Sequence, residues 1–348
     1  MSEVSFIGGF DVVWRKNQLP GYPKMSLKNN LVLAQIGGNL FGLDPSTGRE
    51  LWEFKYPNQG YNINHISDYD DNIYCINNIG RSHHSETSRS SVLYNLNRAN
   101  GEIIWNIKLS DHVNLPAVAG NEIVVIEFCG DLIGIDKKTG NKKWTLPTEG
   151  KQPIFLSIHK DMVIFVVSQR INSGESPGSI KHIYILDINT GKVNKKFEEN
   201  TLIGKFYISK SHLFYECGTL DDLNYFYREF IKGISLKSLK ELPSVLKVNN
   251  NDIIDIHNGT FYLLSDESLT CISFSNEIRW QKKIGFNPGH SITTFEAGVT
   301  YLKDGNCLFA LNPATGEEYW KKELLPTNTV TIPFVYKGLI HDFALNYS

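Results

Sequence analysis

The chain has 348 residues, is 41% hydrophobic, and balances 35 Lys and Arg against 37 Asp and Glu for a formal net charge of -2. A balance this close leaves no electrostatic case for nucleic acid or an anionic membrane as partner. Apolar runs such as EIVVIEF and DMVIFVV reach only strand length, too short to span a bilayer, and the N-terminus lacks a basic region followed by a long apolar run, so export is not expected.

Cys75, Cys129, Cys217, Cys271 and Cys307 are scattered with no C-x-x-C pair. They read as small buried hydrophobes in a reducing, cytoplasmic compartment, neither a disulfide framework nor a zinc site. The sequons at Asn258 and Asn346 are then chance matches.

In chain order, FDVVWRKN at the N-terminus places Trp14 on a strand with no full repeat before it. The sentence LFGLDPSTGRELW at 40–52 follows and recurs closely as LIGIDKKTGNKKW at 132–144 and LFALNPATGEEYW at 308–320. Looser copies are LYNLNRANGEIIW at 93–105 and IYILDINTGKVNKKF at 183–197, the last with Phe197 in the tryptophan position. A period of about forty residues marks a propeller or a solenoid. Each copy reads as strand, turn, strand. Gly48 and its equivalents Gly101, Gly140, Gly191 and Gly316 supply the positive φ of the turn, and Asp44 and Thr47 can bond nearby backbone N–H groups to fix it. After the turn Trp52, Trp105, Trp144, Trp280 and Trp320 would each bury a large ring against a neighbouring repeat.

This pattern, A/G-x-D-x-x-T-G-x-x-x-W on a strand pair, resembles the repeat of the PQQ-like β-propeller family and covers nearly the whole chain. The resemblance implies an all-β fold, a single domain over 1–348 built from four-stranded blades. Seven complete blades lie between the ends, and TVTIPFVYKGLIHDFALN at 329–346 supplies two strands with no TG…W segment after them. Joined to the Trp14 strand, these close an eighth blade from both termini; seven blades is the alternative. Residues 201–248 match worst, where GISLKSLKELPSV has lost both the TG turn and the tryptophan.

Three segments between the second and third strands of their blades are long: 79–91, 169–181 and 217–229. They emerge on one propeller face, where binding residues on a rigid scaffold concentrate. The candidate partner-binding residues are Arg81, His83, His84, Arg89, Arg170, Glu175, Asp221, Asp222, Tyr225, Tyr227 and Arg228.

Enzyme signatures fail. There is no G-x-S-x-G, no G-x-x-x-x-G-K-[ST] and no H-E-x-x-H. Dehydrogenases of the resembled family carry adjacent cysteines over their cofactor and a calcium-binding acid and amide; no two cysteines are adjacent here, so no cofactor, metal or catalytic residue is carried over. Asp68, Asp70 and Asp71 read as solvated acids of a turn, and His65, Lys205, Asp255 and His257 as candidate liners of a central channel. The expectation is a monomeric, non-enzymatic, protein-binding propeller, in its sharpest form a bacterial immunity protein that neutralises a cognate toxin. The alternatives are a channel-based ligand binder or enzyme, and an outer-membrane-assembly scaffold.

Overall fold

The hairpins foreseen from the D-x-x-T-G spacing form for the expected local reason. In the computed structural model Asp44 Oδ1 accepts the backbone N–H groups of Ser46 and Thr47, each at 2.9 Å, and the Thr47 hydroxyl at 3.0 Å. The Gly48 N–H closes the turn on Asp44 O at 2.8 Å. Asp136 and Asp187 repeat the arrangement. Gly48, Gly101, Gly140, Gly191 and Gly316 all hold φ between 67° and 75°, where a side chain is strained.

These donors stabilise the charged carboxylate. The Ser46 hydroxyl, with Thr47, lowers Asp44 to about 2, and the Thr139 N–H, with Lys143, lowers Asp136 to about 2. A depressed carboxyl contributes stability above its ordinary value of 3.8 that is lost as pH falls toward 2. Asp136→Asn should therefore flatten the loss of stability over that acid window, read from circular dichroism during acid titration.

The structure describes residues 2–8, 11–19, 24–28, 31–36, 39–56, 63–69, 71–79, 90–110, 113–128, 131–148, 151–171, 178–220, 226–242, 246–248, 253–257, 259–265, 268–283, 292–296, 299–304, 307–323, 331–336 and 339–346. Among them the chain forms eight antiparallel sheets and no helix. Seven are met in chain order, each with strands lettered A to D as the chain enters them. Sheet 1 spans Lys24–Phe54, sheet 2 Ile63–Leu109, sheet 3 Val118–Leu146, sheet 4 Gln152–Glu199, sheet 5 Leu202–Lys247, sheet 6 Ile253–Lys283 and sheet 7 Ile292–Glu323. The last sheet joins the termini in the order Asp11–Leu19, Ser2–Gly8, Leu339–Asn346, Thr331–Tyr336. The N-terminus contributes two strands to it, where the sequence pointed to the Trp14 strand alone. Ser2–Gly8 pairs with the C-terminal strand from Glu3 opposite Asn346 to Gly8 opposite His341.

The described residues divide into two compact units, Leu19–Asn200 and a second made of Met1–Gln18 with Thr201–Ser348. In the first unit, Trp52 shows how one sheet holds the next. A Cβ on Gly42 of its own sheet would lie 2.2 Å from the indole, and one on Gly101 of the following sheet 2.7 Å from it, so the ring is clamped between two glycines. Its Nε1–H donates to Arg98 O at 3.0 Å. Trp105 and Trp144 lie against Gly140 and Gly191, donating to Lys137 O and Ile188 O at 2.8 and 2.9 Å. In the second unit Trp280 lies against Gly316 and donates to Pro313 O at 3.0 Å. The clamp needs a bulge, because the residue before each tryptophan is skipped in the register: Gly42 opposes Trp52 while Leu43 opposes Glu50. That accounts for Leu51, Ile104 and Tyr319 lying 44%, 47% and 55% exposed beside buried neighbours.

Sheet 5 corrects the sequence reading. Its turn is kept in backbone geometry, with the Leu239 N–H on Ser235 O at 2.8 Å and Leu239 itself at φ 53° where glycine stands elsewhere. The expected D strand is split into Lys240–Glu241 and Leu246–Lys247, both paired to Phe226–Ser235. Along the chain, tryptophan and glycine vanish together. Phe197 precedes the Leu239 turn, and the tryptophan-free outer strand of sheet 5 precedes a turn with Asn276 at φ 65°. Between sheets 5 and 6 a cluster of Phe214, Phe261 and Phe274, with centroids 4.4–5.0 Å apart, takes the place of the clamped indole. Leu239→Gly should raise stability by roughly 0.5–1 kcal/mol, as relief of left-handed strain exceeds the entropy glycine adds to the unfolded chain. A lower thermal midpoint for the variant would contradict this.

Cys75, Cys217 and Cys271 are buried free thiols and Cys307 is half-buried; Cys129 lies outside the described residues. Burial pushes the Cys75 thiol up to about 12 and Cys271 to about 11, which leaves both inert. Asp68 is a correction. It is not a solvated turn acid but sits in strand Ile63–Tyr69, where Arg98 grips both its oxygens at 3.0 and 3.1 Å.

Candidate functional site

In sheets 2, 4 and 5 the long segment falls where strand B runs into strand C, and in sheets 2, 3 and 5 that stretch carries polar side chains set in apolar strands. In sheet 2, Asn78 pairs both amide atoms with one backbone group, donating to Val113 O at 3.0 Å and accepting the Val113 N–H at 3.2 Å. Glu127, fully buried in sheet 3, accepts the Asn114 N–H at 3.0 Å. Asp131 accepts the Thr148 N–H at 3.1 Å. Each bond latches a connection between consecutive sheets, which satisfies backbone groups that would otherwise be buried without partners. Buried acids here hold linkers.

Two of the three long segments are largely not loops. Strands B and C of sheet 4 stay paired out to Ile171 opposite Gly178. Strand A of that sheet stops pairing at Ser168, and strand D at Lys181. The sheet 5 hairpin pairs out to Leu220 opposite Phe226, while the outermost pair of its strand A is Leu202 opposite Gly218. Both hairpins thus project beyond their own sheets. In sheet 2 the pairing ends at Ile79 opposite Ser90.

Charged groups brace the base of each projecting hairpin. In sheet 5, Glu216 Oε1 accepts Arg228 Nη1 and the Tyr207 hydroxyl, both at 2.7 Å, and Oε2 accepts the Lys205 N–H at 3.1 Å. One carboxylate ties strands A, B and C together. In sheet 4 the buried His182 has Nε2 2.9 Å from Gln169 Oε1 and Nδ1 3.3 Å from Glu198. Burial, then Lys196, holds its pKa below the ordinary histidine value, so the ring is neutral at pH 7. The Lys181 ammonium lies against the Ser179 hydroxyl and carbonyl, and burial lowers its pKa.

Of the residues named from sequence, Tyr227 is 47% exposed on the sheet 5 hairpin and Arg228 beside it turns inward to Glu216. Arg170 has its backbone in the sheet 4 hairpin, opposite Ser179. Arg81, His83, His84, Arg89, Glu175, Asp221, Asp222 and Tyr225 lie outside the described residues. Among the channel candidates, His65 is half-buried and Lys205 exposed on their A strands. Asp255 and His257 are placed by backbone alone, opposite Tyr262 and Thr260. No cluster of three His, Cys, Asp or Glu able to hold a metal occurs among the described residues. Sequence reasoning missed Asn78, Glu127 and Glu216; the signal was a single polar residue inside an apolar strand, as in IVVIEF and HLFYECG.

A PQQ-type repeat model described as outer membrane protein assembly factor BamB matches residues 81–198 and 265–345. The chain belongs to this PQQ-like repeat family. A similar curated protein is tetrathionate hydrolase of Acidithiobacillus ferrooxidans, 21% identical over 272 residues that make up 72% of this chain and 53% of the hydrolase. The chain spans about half the length of that relative. Among solved structures, BamB from Moraxella catarrhalis superposes with a TM-score of 0.55 at 13% identity, covering 93% of this chain and 94% of BamB. The computationally designed Ika8 protein gives 0.60 at 10% identity, with 92% of each chain covered. At these identities the likeness establishes a β-propeller fold and nothing finer.

Proposed function

We propose that this PQQ-like propeller is a cytoplasmic protein-binding scaffold, not an enzyme, and that its partner is gripped by the projecting hairpin of sheet 4. The observation that carries the reading is the sheet 4 hairpin, which outruns strands A and D of its own sheet and has the buried His182 and Lys181 at its base. Strands fixed this way present backbone and side chains to a partner at little ordering cost. The buried carboxylate of Glu127 accepts a linker N–H and that of Glu216 accepts Arg228, which fits a binder better than a general acid or base. The reading includes eight blades, the terminal sheet being the eighth. Its sharpest form is an immunity protein whose partner is a toxin.

The test is affinity purification of the tagged protein at its natural level, followed by mass spectrometry, beside a variant whose sheet 4 hairpin is cut back to Ser168 and Lys181. Wild type should bring down one stoichiometric partner that the trimmed protein loses. Recovery of no such partner, or equal recovery by both, would overturn the reading. A partner that is toxic alone and harmless on co-expression would establish the immunity form.

A further inference from the structure

Within the unit Leu19–Asn200 a second surface gathers charge of one sign. The clamp of Trp144 is what assembles it. Lys142 and Lys143 immediately precede Trp144, whose indole lies 2.6 Å from the Cβ position of Gly191 and whose Nε1–H reaches Ile188 O at 2.9 Å. Lys192 directly follows that glycine, so lysines of sheets 3 and 4 are chain neighbours of the two residues that meet there. Lys138 continues the surface along the sheet 3 turn, and Lys195 and Lys196 continue it along the outer strand of sheet 4. Of these, Lys138, Lys142, Lys143, Lys192, Lys195 and Lys196 are all exposed.

Glu122 and Asp161 are exposed on the adjoining turns, whereas two other acids nearby are largely taken up by their own turns. Asp187 Oδ1 is taken by the N–H groups of Asn189 and Thr190 and the Thr190 hydroxyl, and Asp136 Oδ1 by the equivalent groups of Lys138 and Thr139. Lys143 pairs with Asp136 Oδ2 at 3.0 Å and Lys196 with Glu198 at 2.8 Å; exposed pairs of this kind exchange readily for other partners. The other clamps differ. At Trp52 the flanking residues are Glu50, Leu51 and Glu53, and at Trp280 Lys282 reaches across to Glu318 on the next sheet. On a chain whose net charge is -2, a lysine surface of this density is a local reversal of sign.

We infer that the outer surface of sheets 3 and 4 around Trp144 docks an acidic protein segment, rich in Asp and Glu, separately from the hairpin end. Complementary charge steers encounter and selects partners. Lysine rather than arginine supplies the positive charge, and the one large ring at the centre is clamped between glycines, so it offers no face on which a base could stack. The absence of a stacking face favours a carboxylate-bearing chain over single-stranded nucleic acid.

The probe is fluorescein-labelled poly-L-glutamate, titrated by anisotropy with the full chain at low salt. Binding should appear at about 50 mM salt and weaken by about tenfold or more toward 300 mM. It should be lost when Lys142, Lys143, Lys195 and Lys196 are changed to Glu, and kept when Lys237, Lys240, Lys282 and Lys283 are changed to Glu, a control with the same total charge change. Circular dichroism confirms that both variants fold. Absence of binding at low salt, or equal loss in the control, overturns the proposal. Tighter binding of duplex DNA or of phosphatidylserine vesicles than of polyglutamate, lost in the first variant, would overturn it in favour of those partners.

Discussion

Replacing Trp52 with alanine should destabilise the unit Leu19–Asn200 by about 3–5 kcal/mol, the range for deleting a large buried aromatic. The ring is 7% exposed and clamped between Gly42 and Gly101, so its removal leaves a space that neither glycine can fill. Trp52→Phe should cost less, about 1–3 kcal/mol, mainly by leaving Arg98 O without its N–H donor. Denaturant midpoints of the two variants against wild type measure both values. A loss under about 1 kcal/mol for the alanine variant would show that the indole is not a lock.

The second large effect belongs to the hairpin end. Arg228→Ala should cost about 3–5 kcal/mol, because it strands the Glu216 carboxylate, whose side chain is 6% exposed, without its cation. Glu216 also holds the Tyr207 hydroxyl and the Lys205 N–H, so the loss should loosen strands A, B and C of sheet 5 together. Arg228→Met combined with Glu216→Leu should recover part of the stability, as paired removal leaves no orphan charge. Hydrogen exchange over 202–235 should rise in the single variant and return toward wild type in the double. If the two changes simply add, the ion pair is not the brace described above.

Much of this architecture was legible in the chain. The turn is local chemistry, one side-chain oxygen of Asp or Asn and one glycine, so five glycine turns could be placed from spacing alone and all five hold the left-handed φ. Leu239 was not legible as a turn residue because nothing in SLKSL marks positive φ; its conformation is imposed by the strands on either side. The projecting hairpins were hidden for a related reason. Gln169–Ile171 and Gly178–Ile180 carry too little apolar alternation to read as strand, and they extend because their partners across the hairpin hold them in register. The latches Asn78 and Glu127 depend on which linker passes overhead, a long-range fact that no window of sequence contains.

The sheet shared by the two termini also sets a timetable. Ser2–Gly8 and Asp11–Leu19 are made well before their partner, because the strand that pairs with Ser2–Gly8 is Leu339–Asn346, about 330 residues later. At ribosomal speeds that wait is roughly 15–60 s. For that interval the N-terminal segment has no partner for one edge, and two strands alone are marginally stable at best, which leaves it available to other chains or to a chaperone. Until the C-terminal strands have left the ribosome, that sheet cannot be completed from its own chain.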